Sequence, residues 1–388
     1  MAGDGGFEYN DEFFFDPRAR DRAAKQFSNI WFALYSIKLS DAFKENDEKT
    51  KALKVGFQWS GFGVVGLAVL ALSLAAIEPT FIRTAVERGM VHARTSEIVA
   101  AVASIAGVLS VLMGFFGMGF SERKVNWLRN RMLCERIRQW RWHYYCAHIH
   151  EIRGALGDKA GQEAYATKHD AEFYQFIEKL KANGGQALSA VLSTGQENPD
   201  AVWAQPDFKF LFQRGETLSA IESAMNKDVP AAEIIAAYKN VRIGAQKRYA
   251  SYLVEDTGPF ATHPATQKVR LHNWGVGLLF LIFALHILLL FGILVCHVSA
   301  LVAAALSILA VISALIALGL RAVEDGLRPS EHFGRYKGYL AEVGSIEEAF
   351  TEARIETTVR NLMIALEKAS YKEMVDFLQA GNRSRYVM

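Results

Sequence analysis

The chain has 388 residues, 51% of them hydrophobic, and 43 Lys and Arg set against 41 Asp and Glu leave a formal net charge of +2. A balance this close to neutral gives no global field for nucleic acid, and three cysteines (Cys134, Cys146, Cys296) are too few and too scattered for a disulfide framework or a structural zinc site. No Walker A loop, GxSxG elbow or HExxH occurs, so the sequence predicts no catalytic residue, cofactor or metal.

Residues 1–20, MAGDGGFEYNDEFFFDPRAR, carry acids where a signal peptide needs a basic start and an apolar run. No cleaved leader is expected, and the segment reads as disordered or loosely docked. Phe27, Ile30, Trp31, Leu34 and Ile37 then recur at helical spacing opposite Lys25, Asn29 and Ser36, which predicts an amphipathic helix. Residues 1–54 make up this N-terminal segment.

Val55–Ile77 and Ile98–Phe120 form a first apolar hairpin within residues 55–120. Each is about 22 residues long and, at about 1.5 Å per residue, can cross a hydrocarbon core of about 30 Å. Neither contains Asp, Glu, Lys or Arg. GFGVVG at 61–66 matches GxGxxG, but it lies inside the first span, so its glycines read as packing residues. In the second span, Ala103 with Gly107 and Gly114 with Gly117 offer small faces for close helix approach.

The region 121–271 begins with ERKVNWLRNRMLCERIRQWRWHYYCAHIHEIR, which no Pro or Gly interrupts before Gly154. Leu133, Ile137, Trp140 and Tyr144 make an apolar stripe. Arg129, Arg131, Arg136, Arg138 and Arg141 occupy much of the rest and read as facing anionic lipid, each worth about 1 kcal/mol near the surface, or an acidic ligand. His143, Cys146 and His150 share a helical face, but no second cluster closes a four-ligand site, so hydrogen-bonded histidines are expected. Residues 155–255 are helical in pattern, with a break at Asn183-Gly184-Gly185 and with Pro230 in the first turn of a helix ending near Tyr252. Gly258-Pro259 and His263-Pro264 form an irregular approach to the next span.

The second hairpin, residues 272–321, holds the spans Asn273–Val295 and Ser299–Leu320, again without Asp, Glu, Lys or Arg. His286 is the ionisable group within a span, and it reads as a neutral imidazole bonded to a neighbouring helix's carbonyl or Ser. Ser299, Ala303, Ser307, Ala310 and Ala314 recur about one turn apart, a face for packing within one subunit or between subunits around a pore. No Pro interrupts a span, which disfavours a transporter with a broken helix at midplane.

In residues 322–388, Gly326 and Arg328-Pro329 should interrupt the helix, Ser330 should cap the next, and Ser345-x-x-Glu348 reads as a capping box. A last helix, Tyr371–Ala380, should stop at Gly381. No run of alternating β-branched residues supports a sheet. The fold class is therefore all-α, a polytopic membrane protein with four transmembrane helices in two hairpins plus a cytoplasmic helical bundle. Lys and Arg concentrate before spans 1 and 3 and after spans 2 and 4, whereas the 3–4 connection has none, which places both termini in the cytoplasm.

The segments WLRNRMLCERIRQW after span 2, GLRPSEHFGRYKGYL after span 4 and the closing EMVDFLQAGNRSRYVM resemble the SLATT families, the SMODS- and SLOG-associating two-transmembrane effectors of bacterial conflict systems. A weak echo between CERIRQW and SEHFGRY suits two such units in tandem. The chain departs from the pattern in its long 155–260 segment and in carrying two hairpins. The resemblance implies a homo-oligomeric effector of the bacterial inner membrane, active in anti-phage defence. It would permeabilise the bilayer on a cytosolic trigger, a nucleotide second messenger or a nucleotide-sensing partner protein. No catalytic residues transfer with it. The alternative is a non-conducting membrane scaffold recruiting cytosolic partners, favoured by the scarcity of polar residues in the spans beyond Ser, Gln58 and His286.

Overall fold

Helix prevails because the chain offers few stops. In the computed structural model, which describes residues 11–89, 92–193, 229–255, 263–296, 299–353 and 356–386, no strand occurs among the described residues. The helices are α1 (Pro17–Gln26), α2 (Trp31–Leu34), α3 (Ile37–Ile77), α4 (Arg83–Glu87), α5 (Ala93–Ala147), α6 (Ile149–Gly154) and α7 (Lys159–Ser193). They continue with α8 (Val229–Ala237), α9 (Gly244–Val254), α10 (Pro264–Leu294), α11 (Ala300–Leu327), α12 (Pro329–Glu352) and α13 (Glu356–Arg383). A 3-10 turn covers Asp11–Phe13, and π-turns cover Glu78–Ile82 and Tyr238–Ile243.

The chain divides into two compact units. The first comprises residues 1–51, 127–254 and 334–382. Its central element is the second half of α5, where Trp142, Tyr144, Tyr145 and Cys146 are all buried, as is Ile149 at the start of α6. A helix covered on nearly every side has neighbours all round rather than a solvent face. Phe27, Ile30, Leu34, Ile234, Tyr238, Val343 and Leu366 pack into the same core, and Phe13, Phe43, Ile137, Phe173 and Ile177 form a second cluster.

Several local expectations give way to this packing. The stretch Phe27–Ile37 is no single helix. Phe27, Ile30 and Leu34 are all buried, but the chain turns between α1 and α2 and again before α3. Glu233 holds the first turn, accepting from the Asn29 backbone at 3.3 Å and its side-chain amide at 2.6 Å. Asn183-Gly184-Gly185 does not break α7. Tyr165, His169, Phe173, Ile177, Leu180, Gly184, Leu188 and Val191 form one buried face, and a Cβ on Gly184 would come within 3.0 Å of Arg129 Nε. The glycine admits the guanidinium, an approach that offsets its helix penalty of about 1 kcal/mol.

Ser345 opens no helix either, because Tyr336, Tyr339, Val343, Ile346 and Phe350 continue a single buried face through α12. The final helix passes Gly381 and ends at Arg383. Gly381 lies against Leu128, whose Cδ2 would be 2.7 Å from an added Cβ, so this glycine serves close packing and not termination. Pro230 falls in the first turn of α8, as its sequence position suggests.

The second unit comprises residues 52–126, 255–333 and 383–388. Within it the apolar parts of α3, α5, α10 and α11 are long and apolar enough to cross a membrane. Ser110 Oγ donates to the Val64 carbonyl at 3.1 Å, and a Cβ on Gly107 would meet that of Ala71 at 3.8 Å, so α3 and α5 approach closely there. Gly319 of α11 brings α3 equally near: an added Cβ would sit 2.6 Å from Val69 Cγ2. Leu279, Phe280, Phe283, Ile287, Leu288 and Leu294 face outward, an apolar exterior that suits lipid. Between α11 and α12 the helix is interrupted at Arg328, which takes the left-handed conformation at φ 50°. Ser330 therefore sits inside α12 and does not cap it.

Candidate functional site

The densest chemistry in the first unit is a buried ionic cluster. Glu12, Arg242 and Glu367 are each no more than 2% exposed. The 3-10 turn delivers Glu12, the π-turn delivers Arg242, and α13 delivers Glu367. Arg242 donates to Glu367 through Nε at 2.9 Å and Nη2 at 2.8 Å, a bidentate pair, and through Nη1 to Glu12 at 3.3 Å. The Tyr238 hydroxyl donates to Glu367 at 3.1 Å, and the Trp142 indole donates to Glu12 at 2.9 Å.

Helix α5 completes the cluster. Arg138 pairs with Glu12 and, at 2.5 Å, with Glu135, while Arg131 reaches Glu135 at 2.5 Å. Arg141 donates to the backbone carbonyls of Glu12 and, at 2.5 Å, Leu34. His143 Nε2 lies 3.4 Å from Glu367. Burial by itself would push the Glu367 carboxyl up, but Arg242, helped by His143, outweighs it and holds the group at about 2. Burial also lowers His143, more than the neighbouring Glu367 raises it, which favours the neutral imidazole.

Arg138 and Arg141, expected on a lipid- or ligand-facing surface, are thus buried at 7% exposure. The reason is charge pairing: α5 is central to its unit, so its cations meet carboxylates and carbonyls. Arg131 is half-buried on Glu135, Arg129 donates to the Lys181 carbonyl at 3.1 Å, and Arg136 lies 3.4 Å from Gln139. The turn at Asp11–Phe13 corrects the expectation of a loose N-terminal segment, since Glu12, Phe13 and Phe14 are all buried. Residues 1–10 lie outside the described residues. Cys146 is buried at 3.9 Å from the Met363 sulfur, while His150 is exposed. No metal-binding group of His, Cys, Asp or Glu occurs among the described residues.

The chemistry of the cluster is to fix four elements to one another through charge. Beside Glu12 a cavity of about 330 Å³ is lined by Phe14, Arg22, Gln26, Phe27, Asn240 and Arg248, among others. Its size reaches the lower end of small-ligand sites.

The span residues singled out from sequence are scattered. Ser299 caps α11, its hydroxyl 3.5 Å from the Val302 amide. Ala310 is buried, Ala303 and Ser307 are half-buried, and Ala314 is exposed, so the unit's own helices cover this small face incompletely. His286 is exposed and pairs with the Ile282 carbonyl of its own helix at 2.8 Å. The expected partner on a neighbouring helix is replaced because the carbonyl one turn back is already within reach. Gly107 lies at the α3 contact, while the surroundings of Gly114 fall outside the described residues.

No family model, curated protein or solved structure matches the chain. Function must be argued from this geometry. Glu12, Arg242 and Glu367 escaped the sequence reading because each comes from a different part of the chain, and no short-range spacing links them.

Proposed function

We propose that this chain is a multi-pass membrane scaffold whose helical unit presents a surface to partners in the cytoplasm. One observation carries the reading: polar groups in the spans are few, and most of those with a bond turn to backbone. Ser60 donates to the Gly56 carbonyl at 2.8 Å, Ser110 to Val64 at 3.1 Å and Ser313 to Leu309 at 2.8 Å, with His286 on Ile282. Side chains so engaged offer an ion little to replace its hydration. Trp59 and Trp274, 70% and 63% exposed, begin spans 1 and 3, where indoles favour the membrane interface.

The second reading is the oligomeric, permeabilising effector that the SLATT resemblance implies. The half-covered face of Ala303, Ser307 and Ala314 supports it, since a second copy could complete that packing. The cavity beside Glu12, with Arg22 and Arg248 in its lining, gives a phosphate-bearing trigger a place to act.

Dye release from liposomes carrying the purified chain separates the two. The scaffold reading expects intact vesicles with and without cyclic dinucleotides; nucleotide-dependent release sinks it in favour of the effector. The proposed orientation has its own test in Cys296, which is exposed in the 3–4 connection, whereas Cys134 and Cys146 are buried. An impermeant maleimide should label intact bacterial spheroplasts at Cys296, and a Cys296→Ser variant should lose the signal. Labelling only after lysis refutes the orientation.

A further inference from the structure

Near the C-terminus, the Tyr386 ring is lodged between two helical glycines. A Cβ built on Gly61 of α3 would overlap the Tyr386 ring from one side, and a Cβ on Gly326 of α11 would overlap it from the other. The Phe57 and Phe62 rings meet Tyr386 nearly edge-on, with centroids at 5.6 and 5.8 Å. Two further contacts hold the segment. Lys124 Nζ, from α5, donates to the Ser384 carbonyl at 3.0 Å, and Arg383 pairs with Glu331 of α12 at 2.6 Å. Ser384 itself is 5% exposed. All these residues belong to the second unit.

We propose that residues 383–386 form an intramolecular wedge, with Tyr386 as its head and the Gly61–Gly326 slot as its seat, setting the spacing of spans 1 and 4. The glycines explain the geometry. Any larger residue at either position would occupy the ring's place, and a ring is the side chain broad enough to touch both backbones at once. The slot recognises the ring and not the hydroxyl, since the buried Tyr386 oxygen has no hydrogen-bond partner among the described residues. Withdrawal of the wedge would leave a gap at this end of the bundle, which the two helices could close only by moving. The C-terminal segment is thereby a latch: whatever binds it outside the slot favours the altered spacing, to the extent of its preference for the released segment.

The test uses the full chain in lipid nanodiscs, in a Cys296→Ser background with spin labels on Trp59→Cys of α3 and Arg321→Cys of α11, both exposed positions. The wild-type tail should give one narrow distance distribution, and Tyr386→Phe should reproduce it. Tyr386→Ala, and truncation after Arg385, should broaden or displace it. An unchanged distribution in both of these overturns the proposal, as does a Tyr386→Phe variant that behaves like Tyr386→Ala.

Carboxypeptidase trimming followed by intact mass supplies an independent reading without altering the tail. Digestion of the wild type should stall at Tyr386. Gly61→Ala and Gly326→Ala should let it pass roughly tenfold faster or more, because cleavage follows the population of the released segment. Equal trimming of wild type and both glycine variants overturns the wedge. Variants are compared only where gel filtration and helical circular dichroism match the wild type, and either glycine variant alone is sufficient.

Discussion

Replacing Glu367 by Gln tests whether the buried cluster holds the helical unit together. The carboxylate accepts from Arg242 at 2.9 and 2.8 Å and from Tyr238 at 3.1 Å. Gln keeps the shape but turns an NH2 group toward one of the Arg242 donors. Arg242, 0% exposed, then has only the 3.3 Å contact with Glu12 to balance its charge. Breaking one side of a buried ion pair costs about 3–5 kcal/mol. For a unit of roughly 150–250 residues each kcal/mol shifts the midpoint by about 2–4 °C, so a fall of about 6–20 °C is expected. The assay is thermal unfolding of the full chain in nanodiscs, followed by tryptophan fluorescence, since Trp142 lies beside the cluster. The double variant Arg242→Met/Glu367→Met removes both charges and leaves Glu12 with Arg138 and Trp142. It should recover most of the loss. A fall below about 2 °C for Glu367→Gln, or a double variant no more stable than either single one, refutes the reasoning.

Acid should weaken the same unit in two stages. His143 and His169 are buried with lowered pKa values, so the unfolded chain takes up protons first and stability falls as pH drops below the ordinary histidine value. The slope is about 1.4 kcal/mol per pH unit for each histidine between its folded and unfolded values. Glu367, held at about 2, contributes stability that is present above the ordinary carboxylate pKa and lost as pH falls toward 2. An unfolding midpoint that is flat between pH 7.5 and 5.5 contradicts the histidine part. Glu12→Ala should free the N-terminal turn and speed trypsin cleavage at Arg18 and Arg20 by about tenfold or more, the opening tracking a loss above about 1.4 kcal/mol; cleavage at the wild-type rate contradicts the anchoring role. Gly319→Leu should overpack the α3 contact and destabilise the spans by about 1–3 kcal/mol, read as earlier heat-induced aggregation in detergent, and unchanged aggregation contradicts that close approach.

Periodicity carried the long elements. Uncharged runs such as LLFLIFALHILLLFGILV give helices whose length needs no tertiary information, whereas the stretch from Glu122 to Gly154, uninterrupted by Pro or Gly in sequence, breaks at His148 between α5 and α6. Glycine was the weaker guide, and for one reason. Gly184, Gly326 and Gly381 look alike as punctuation, yet all three are helical residues at which another part of the chain comes close. Whether a glycine ends a helix or admits a neighbour depends on what lies beside it, which a local pattern does not encode. The ionic cluster was hidden on the same grounds. Glu12 stands in the acidic-aromatic run DEFFFD, and a local reading takes such a run as solvated until a cationic slot is found to receive it.

The arginines of α5 show how one residue type can answer two demands at different times. The orientation argument counts Lys and Arg near a span, largely regardless of acids, because it concerns the chain as it inserts. Arg123, Lys124, Arg129, Arg131 and Arg136 fall within that range after span 2. In the folded unit Arg131 and Arg138 are paired with Glu135, and Arg138 also with Glu12, so the charges of these two arginines are met inside the unit. Glu12 and Arg138 lie on opposite sides of the first hairpin in sequence and pair within one unit, so the proposed orientation has to keep both flanks of that hairpin together. A variant that moved one flank of the hairpin alone across the membrane would have to break the Glu12–Arg138 pair, whereas inversion of the whole hairpin would keep it.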